Sequence, residues 1–215
     1  MSTLRYAVAA GMALAAVATS AQAQDESRWF VHVGPAQVIP DESADMLAGG
    51  APVPGADVSV DARWTVEGEI GYFVTPNVAI AAAAGLPPTF RVDAAGTLSG
   101  LGAAGEMVGG PAGVMAQYHF DRIGAVRPYV GAGVAVLVVF DTKDGALQNL
   151  KAESSVGPMV QVGADFMLNE RWGLFVDLKK AYVSTVAKGT LGGAPVRADV
   201  TIDPLVANAG VSYRF

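Results

Sequence analysis

Two doublets, Glu67-x-Glu69 and Asp177-x-Lys179, together with Gln117, His119, Asp165 and His32, are the residues with which this chain could do chemistry. A spacing of two puts both members of a doublet on the same face of a β-strand. A histidine beside a serine would support hydrolysis. However, His32 is followed by Val33-Gly34 and His119 by Phe120-Asp121, so neither has a local serine partner. Two histidines from separate segments, in a chain without cysteine, make a poor zinc set. Asp177 and Lys179 read better as ion-pair partners than as acid and base. The expectation is a polar network rather than a catalytic centre, with no metal or cofactor.

Such groups need elements to position them. Val58–Tyr72 (VSVDARWTVEGEIGY) puts Val58, Val60, Trp64, Val66, Ile70 and Tyr72 on one side, and Asp61, Arg63, Glu67 and Glu69 on the other. This predicts one strand of fifteen residues, about twice the usual length. Seven more segments read as strands: Arg28–Val38, Val78–Val92, Ala112–Phe120, Arg127–Phe140, Val156–Leu168, Trp172–Val183 and Val196–Phe215. The connections after the second, fourth and sixth strands are short. Those at Pro40–Asp57, Asp93–Gly110, Asp141–Glu153 and Ser184–Pro195 are long and rich in Gly, Ala, Asp and Pro. In an antiparallel meander this alternation gathers every tight turn at one end.

A strand with one apolar and one charged side fits a closed barrel in a bilayer. There closure is compulsory, and the apolar side must face lipid. A soluble lipocalin-like barrel would reverse the faces, but the recurrence of Trp, Val, Ile and Tyr opposite the charges favours the membrane. The prediction is all-β: an eight-stranded antiparallel transmembrane β-barrel in a bacterial outer membrane, with short periplasmic turns and long extracellular loops. Trp29, Tyr72, Tyr118, Phe120, Trp172, Tyr213 and Phe215 lie near the short-turn ends, as an interfacial girdle requires.

Composition agrees. The net charge of −6 leaves no basic stripe for nucleic acid, and the absence of cysteine excludes disulfides. The longest apolar runs, Val78–Pro88 and Tyr129–Phe140, are too short for a spanning helix, which needs roughly 20 residues. The N-terminus carries Arg5, an apolar Ala7–Ala18 and Ala21-Gln22-Ala23, the three parts of a secretory signal peptide. Cleavage is expected between Ala23 and Gln24, leaving residues 24–215 as the barrel.

The inward faces sort by height. Met115, Leu137, Val139 and Met159 are expected to line an apolar upper lumen. Glu67, Glu69, Gln117, His119 and Asp165 are expected below, with Arg63, Asp177 and Lys179 near mid-height. An apolar funnel over a polar floor suits a greasy solute that leaves sideways; a packed interior suits a membrane anchor. At Pro204 the apolar residues change parity, from Val200 and Ile202 to Leu205, Ala207 and Ala209, which suggests a bulge.

Arg127–Gly133 (RPYVGAG), Gly163–Lys180 (GADFMLNERWGLFVDLKK) and Ile202–Phe215 (IDPLVANAGVSYRF), with Gln117–Phe120 and Trp29, resemble the OmpW family of small outer-membrane proteins, AlkL-type alkane-uptake proteins included. The resemblance spans nearly the whole chain beyond Ala23. It implies a narrow hydrophobic channel for passive uptake of small apolar molecules, released laterally where prolines interrupt the wall. Pro87, Pro88, Pro158 and Pro204 are the candidates here. It also implies that Tyr213 and Phe215 form the signal read by barrel-assembly machinery. The alternative is a structural or stress-related barrel with a packed, non-conducting interior; an enzyme is not expected.

Overall fold

The computed structural model describes residues 28–215, so the Ala23–Gln24 junction lies outside the described residues. Eight long strands build the barrel: β1 (Trp29–Ile39), β2 (Arg63–Phe73), β3 (Val78–Gly85), β4 (Ala103–His119), β5 (Val126–Asp144), β6 (Ser155–Met167), β7 (Trp172–Ala181) and β8 (Leu205–Arg214). Each pairs antiparallel with its chain neighbours. β8 returns to β1 in the register Phe30↔Arg214 through Ile39↔Leu205. Trp29 and Phe215 exchange backbone hydrogen bonds at 3.0 Å each, which closes the seam. Closure leaves the sheet without a free edge along the seam, the condition a bilayer imposes.

The faces are those of a membrane barrel. Trp64, Val66, Ile80, Val114, Val134, Val160, Leu174 and Leu178 are exposed on the outside, while Glu69, His119, Asp165 and Lys179 are buried inside. Aromatic residues pair across strands at the tight-turn end, with ring centroids 5.0 Å apart for Trp29–Tyr72 and 4.5 Å for Trp172–Tyr213. Tyr118–Phe120 and Tyr213–Phe215 continue this belt. Among the described residues no helix is long and apolar enough to cross a membrane; the barrel crosses with strands.

The long connections are ordered hairpins. β4 and β5 extend well past the predicted Ala112–Phe120 and Arg127–Phe140, and Ala56–Val60 and Thr89–Gly96 join them in one layer. A second layer has the order Gln148–Ala152, Ser184–Leu191, Ala194–Thr201, Ser43–Ala48, Ala51–Pro52. Met46, Val58, Val196, Ala198 and Val200 pack between the two layers. Two of the tips are Gly49-Gly50 and Gly192-Gly193, each with φ of 57° followed by 85° or 87°. Both glycines thus take the positive φ that a two-residue hairpin turn of this hand requires.

Three predicted strands are broken where the barrel becomes this two-layered extension. Val58–Tyr72 splits at Asp61-Ala62, and the side-chain parity shifts there: Val58 is buried inside although Trp64 and Val66 point out. Val78–Val92 splits at Leu86-Pro87-Pro88. Val196–Phe215 splits at Ile202–Pro204, where Asp203 has φ of 31°. No change of face occurs at Pro204, because Val196, Ala198, Val200, Val206, Asn208 and Ser212 are all buried on the inner side. The inner lining changes there from apolar to polar, so the inferred bulge is corrected to a break with parity kept.

Candidate functional site

The lower barrel holds a continuous ionic plug. Seven of the eight strands contribute buried polar groups, and β3 gives Ala79, Ala81 and Ala83 instead. Lys179 Nζ lies 2.7 Å from Glu67 Oε1, 2.8 Å from Asp177 Oδ2 and 3.4 Å from Glu69 Oε2. Gln117 donates to Glu69 at 2.9 Å and to Gln161 at 2.7 Å, and Gln161 donates to Glu69 at 3.0 Å and to Asp177 at 2.9 Å. His119 Nε2 lies 3.0 Å from Gln117 Oε1. Asn208 donates to Glu67 at 3.0 Å, and the Tyr129 hydroxyl donates to Asp177 at 3.2 Å.

Below this layer Asp165 takes Arg214 at 2.7 Å and His32 Nε2 at 2.9 Å, and His32 Nδ1 stands 3.3 Å from Glu69. Neither His32 contact is aligned as a straight hydrogen bond, and the ring is held by stacking on Phe175 with centroids 4.3 Å apart. Gly163 leaves the space that the Tyr129 ring needs, since a Cβ there would sit 2.5 Å from it. Buried charges persist when they are paired, and each charge here has an ion-pair partner, although Asp165 Oδ1 and Arg214 Nε make no hydrogen bond among the described residues.

The ligand atoms of His32, Glu69 and Asp177 lie within 4.8 Å of one another, close enough to hold a cation. The Lys179 ammonium, bonded to Asp177 and near Glu69, already supplies positive charge at that point. The ion pairs and hydrogen bonds brace the strands across the lower lumen.

Arg63 lies outside this network. Its side chain is 37% exposed and its ion-pair partner is Asp61, 3.9 Å away at the break in the wall. Its placement near mid-height is corrected because the barrel ladder of β2 ends at Arg63. Sequence reasoning left Tyr129, Asn208 and Arg214 out of the polar lumen. Tyr129 shares parity with Leu137 and Val139, and Arg214 and Asn208 share parity on β8, so strand phase alone carried that signal.

Above the plug the lining becomes apolar. Met115 and Met159 are buried in the packed layer directly over it, with Ala81, Ala83 and Ala181, and half-buried Val139 packs against them. Of the four residues expected to line the upper lumen, Leu137 reaches the open space. That space is an apolar cavity of about 90 Å³ between the two layers, walled by Val38, Val58, Phe90, Met107, Leu137 and Val200 among others.

The cavity adjoins a break in the wall. Val60 pairs with Val92 and Glu67 with Gly85, but no ladder pair joins residues 61–65 to 87–91 among the described residues. Leu86 is tied back to Val66 by its N–H and to the Thr65 hydroxyl by its carbonyl, and Pro87-Pro88 follow. Val60 and Phe90 border both the cavity and this gap. The other prolines sit in closed wall. Pro158 lies opposite Val134 and its carbonyl accepts Tyr182 N–H at 2.9 Å, while buried Pro204 accepts Ala181 N–H at 3.1 Å.

Comparison with known proteins places this architecture. A family model described as OmpW family matches residues 25–215. Outer membrane protein AlkL of Ectopseudomonas oleovorans is 35% identical over 177 residues, covering 82% of this chain and 77% of that one. Dibenzothiophene metabolism operon protein PahQ of Pseudomonas aeruginosa is 32% identical over 191 residues, covering 89% of this chain and 90% of that one. The crystal structure of the outer membrane protein OprG from Pseudomonas aeruginosa superposes with a TM-score of 0.81 at 26% identity, covering 91% of this chain and 99% of that one.

Proposed function

The chain belongs to the OmpW family of outer-membrane barrels, and from that premise we propose that it takes up small hydrophobic molecules passively and releases them sideways into the membrane. The observation that carries this reading is the apolar cavity, closed below by the ionic plug and adjoining the gap between residues 61–65 and 87–91. A solute entering from the extracellular side meets Val, Leu, Met and Phe side chains, whereas the route straight down requires separating Lys179 from three carboxylates. Moving ions apart in a low-dielectric interior is far costlier than parting apolar contacts. The gap opens toward lipid, where an apolar solute is stable. The cavity is of the same order as the ~150 Å³ apolar cavity able to hold benzene, so slender hydrocarbons are the expected cargo.

The relative encoded with dibenzothiophene metabolism fits a hydrophobic solute of this kind. A packed barrel without transport is the competing reading, and the packing of Met115 and Met159 over the plug is its best support. Uptake of a fluorescent or radiolabelled hydrocarbon by cells carrying only this barrel separates the two. Leu137→Asp should abolish the barrel-dependent uptake by charging the cavity wall. Replacing Pro87 and Pro88 with valine, which restores N–H donors to the gap, should slow it several-fold. Unchanged uptake in Leu137→Asp removes the channel; unchanged uptake only in the proline variant removes lateral release.

A further inference from the structure

The opposite end of the barrel carries a second feature with different chemistry. The tight turns and both ends of the described chain surround an open basin of about 700 Å³, lined by Arg28, Arg122, Arg127 and Arg214 with Asp121 and Glu170. Two of these cations lie over the Phe73 ring, the Arg127 guanidinium 5.0 Å and the Arg214 guanidinium 5.6 Å from its centroid. We propose that this periplasmic vestibule is an oxyanion site that takes a phosphate group, either free or as the headgroup of a lipid in the periplasmic leaflet.

The argument is one of unmatched charge. Arg214 is 6% exposed and pairs with Asp165 at 2.7 Å, but Asp165 also serves His32 at 2.9 Å. The Nε of Arg214 has no hydrogen-bond partner among the described residues. Arg127 donates to two neutral acceptors, the carbonyls of Phe120 and Pro76. Among the described residues no carboxylate lies within ion-pairing distance of Arg127 or of exposed Arg122. Asp121 accepts from Asn77 at 3.3 Å rather than from an arginine.

Arg122, Arg127 and Arg214 thus converge on one basin, where Asp121 and Glu170 are the lining carboxylates among the described residues. Planar guanidinium forks bind oxyanions through paired N–H donors, and two or three of them suit a tetrahedral dianion better than a single carboxylate. The basin has room for more than the phosphate itself. The ionic plug separates it from the hydrocarbon cavity, so this site is independent of the proposed uptake route.

The test uses the full refolded chain in uncharged maltoside micelles, reading the arginine side-chain Nε–Hε signals of Arg127 and Arg214 by NMR. One arm titrates inorganic phosphate against sodium chloride at matched ionic strength; the other dopes the micelles with phosphatidylglycerol. A saturable shift in the phosphate arm identifies a soluble ligand, and one confined to the lipid arm identifies a headgroup. Either supports the site if Arg127→Gln weakens the response at least tenfold. Because Arg127 also holds two turn carbonyls, Arg122→Gln serves as a second variant, with heat-modifiable gel migration reporting folding; it should weaken the response several-fold. Linear drift identical to chloride in both arms, or saturation unchanged in both folded variants, overturns the proposal.

Discussion

The lower and upper halves of this cylinder solve opposite problems with the same strands. In the membrane-spanning half the outside must be apolar, so the inside is free to be ionic, and Lys179, Glu67, Glu69 and Asp177 lock it shut. In the extension the outside meets water, so the inside is apolar, and Val58, Val196 and Val200 pack as in a soluble sandwich. The inversion occurs near Pro87-Pro88, Asp61-Ala62 and Ile202–Pro204, the three places where predicted strands break. The proposed uptake route follows this inversion, from the apolar sandwich core to the side wall above the plug.

The largest test of this contrast is Lys179→Met. It strands three buried carboxylates and should destabilise the barrel by about 3–5 kcal/mol, as loss of one partner of a buried ion pair does. Urea unfolding in lipid vesicles measures it. Adding Glu67→Gln and Asp177→Asn to the same variant should recover most of the loss, because the charges would then leave together. If the triple variant is no better than the single one, the plug acts through something other than charge balance.

Next in size is Leu137→Ala in the upper half. Truncating a buried leucine costs about 2–4 kcal/mol in a rigid core, and here the enlarged cavity should also admit bulkier hydrocarbons. A shift of the uptake preference toward larger solutes marks the sandwich core as the passage; a stability loss without that shift marks it as packing alone.

The smallest effect belongs to the joint between the layers. Asp57 Oδ1 accepts the N–H groups of Ala44 at 3.0 Å and Val58 at 2.9 Å, bridging Ser43–Ala48 and Ala56–Val60 where no ladder runs between them. Asp57→Ala should cost about 1 kcal/mol. It should speed amide exchange at Ala44 and Val58 while leaving β7 and β8 protected. Faster exchange in β7 and β8 as well would mean the halves are not separate units.

The contrast also explains what could be read from the chain. Glu67, Glu69, Gln117, His119, Asp165, Asp177 and Lys179 were found from parity, because in the spanning half a charged residue can point only one way. Val58 was placed on the face of Trp64 and Val66 by the same rule, which fails outside the bilayer, where apolar means inside. The Gly49-Gly50 and Gly192-Gly193 pairs were hairpin signals present in the sequence, and their meaning depended on strands too short and polar to stand out. The plug partners Tyr129 and Gln161 meet residues on distant strands, and cross-barrel distance is not written in any local pattern.

The seam between β1 and β8 has a consequence for biogenesis. The first described strand finds its partner in the strand farthest from it along the described chain, with Phe30 beside Arg214. The perimeter therefore cannot become lipid-compatible strand by strand, and two polar margins stay open until β8 docks on β1. Deleting Tyr213, Arg214 and Phe215 would remove part of the closing margin together with one ion of the floor beneath it, so a chain cut there should yield no partly useful product.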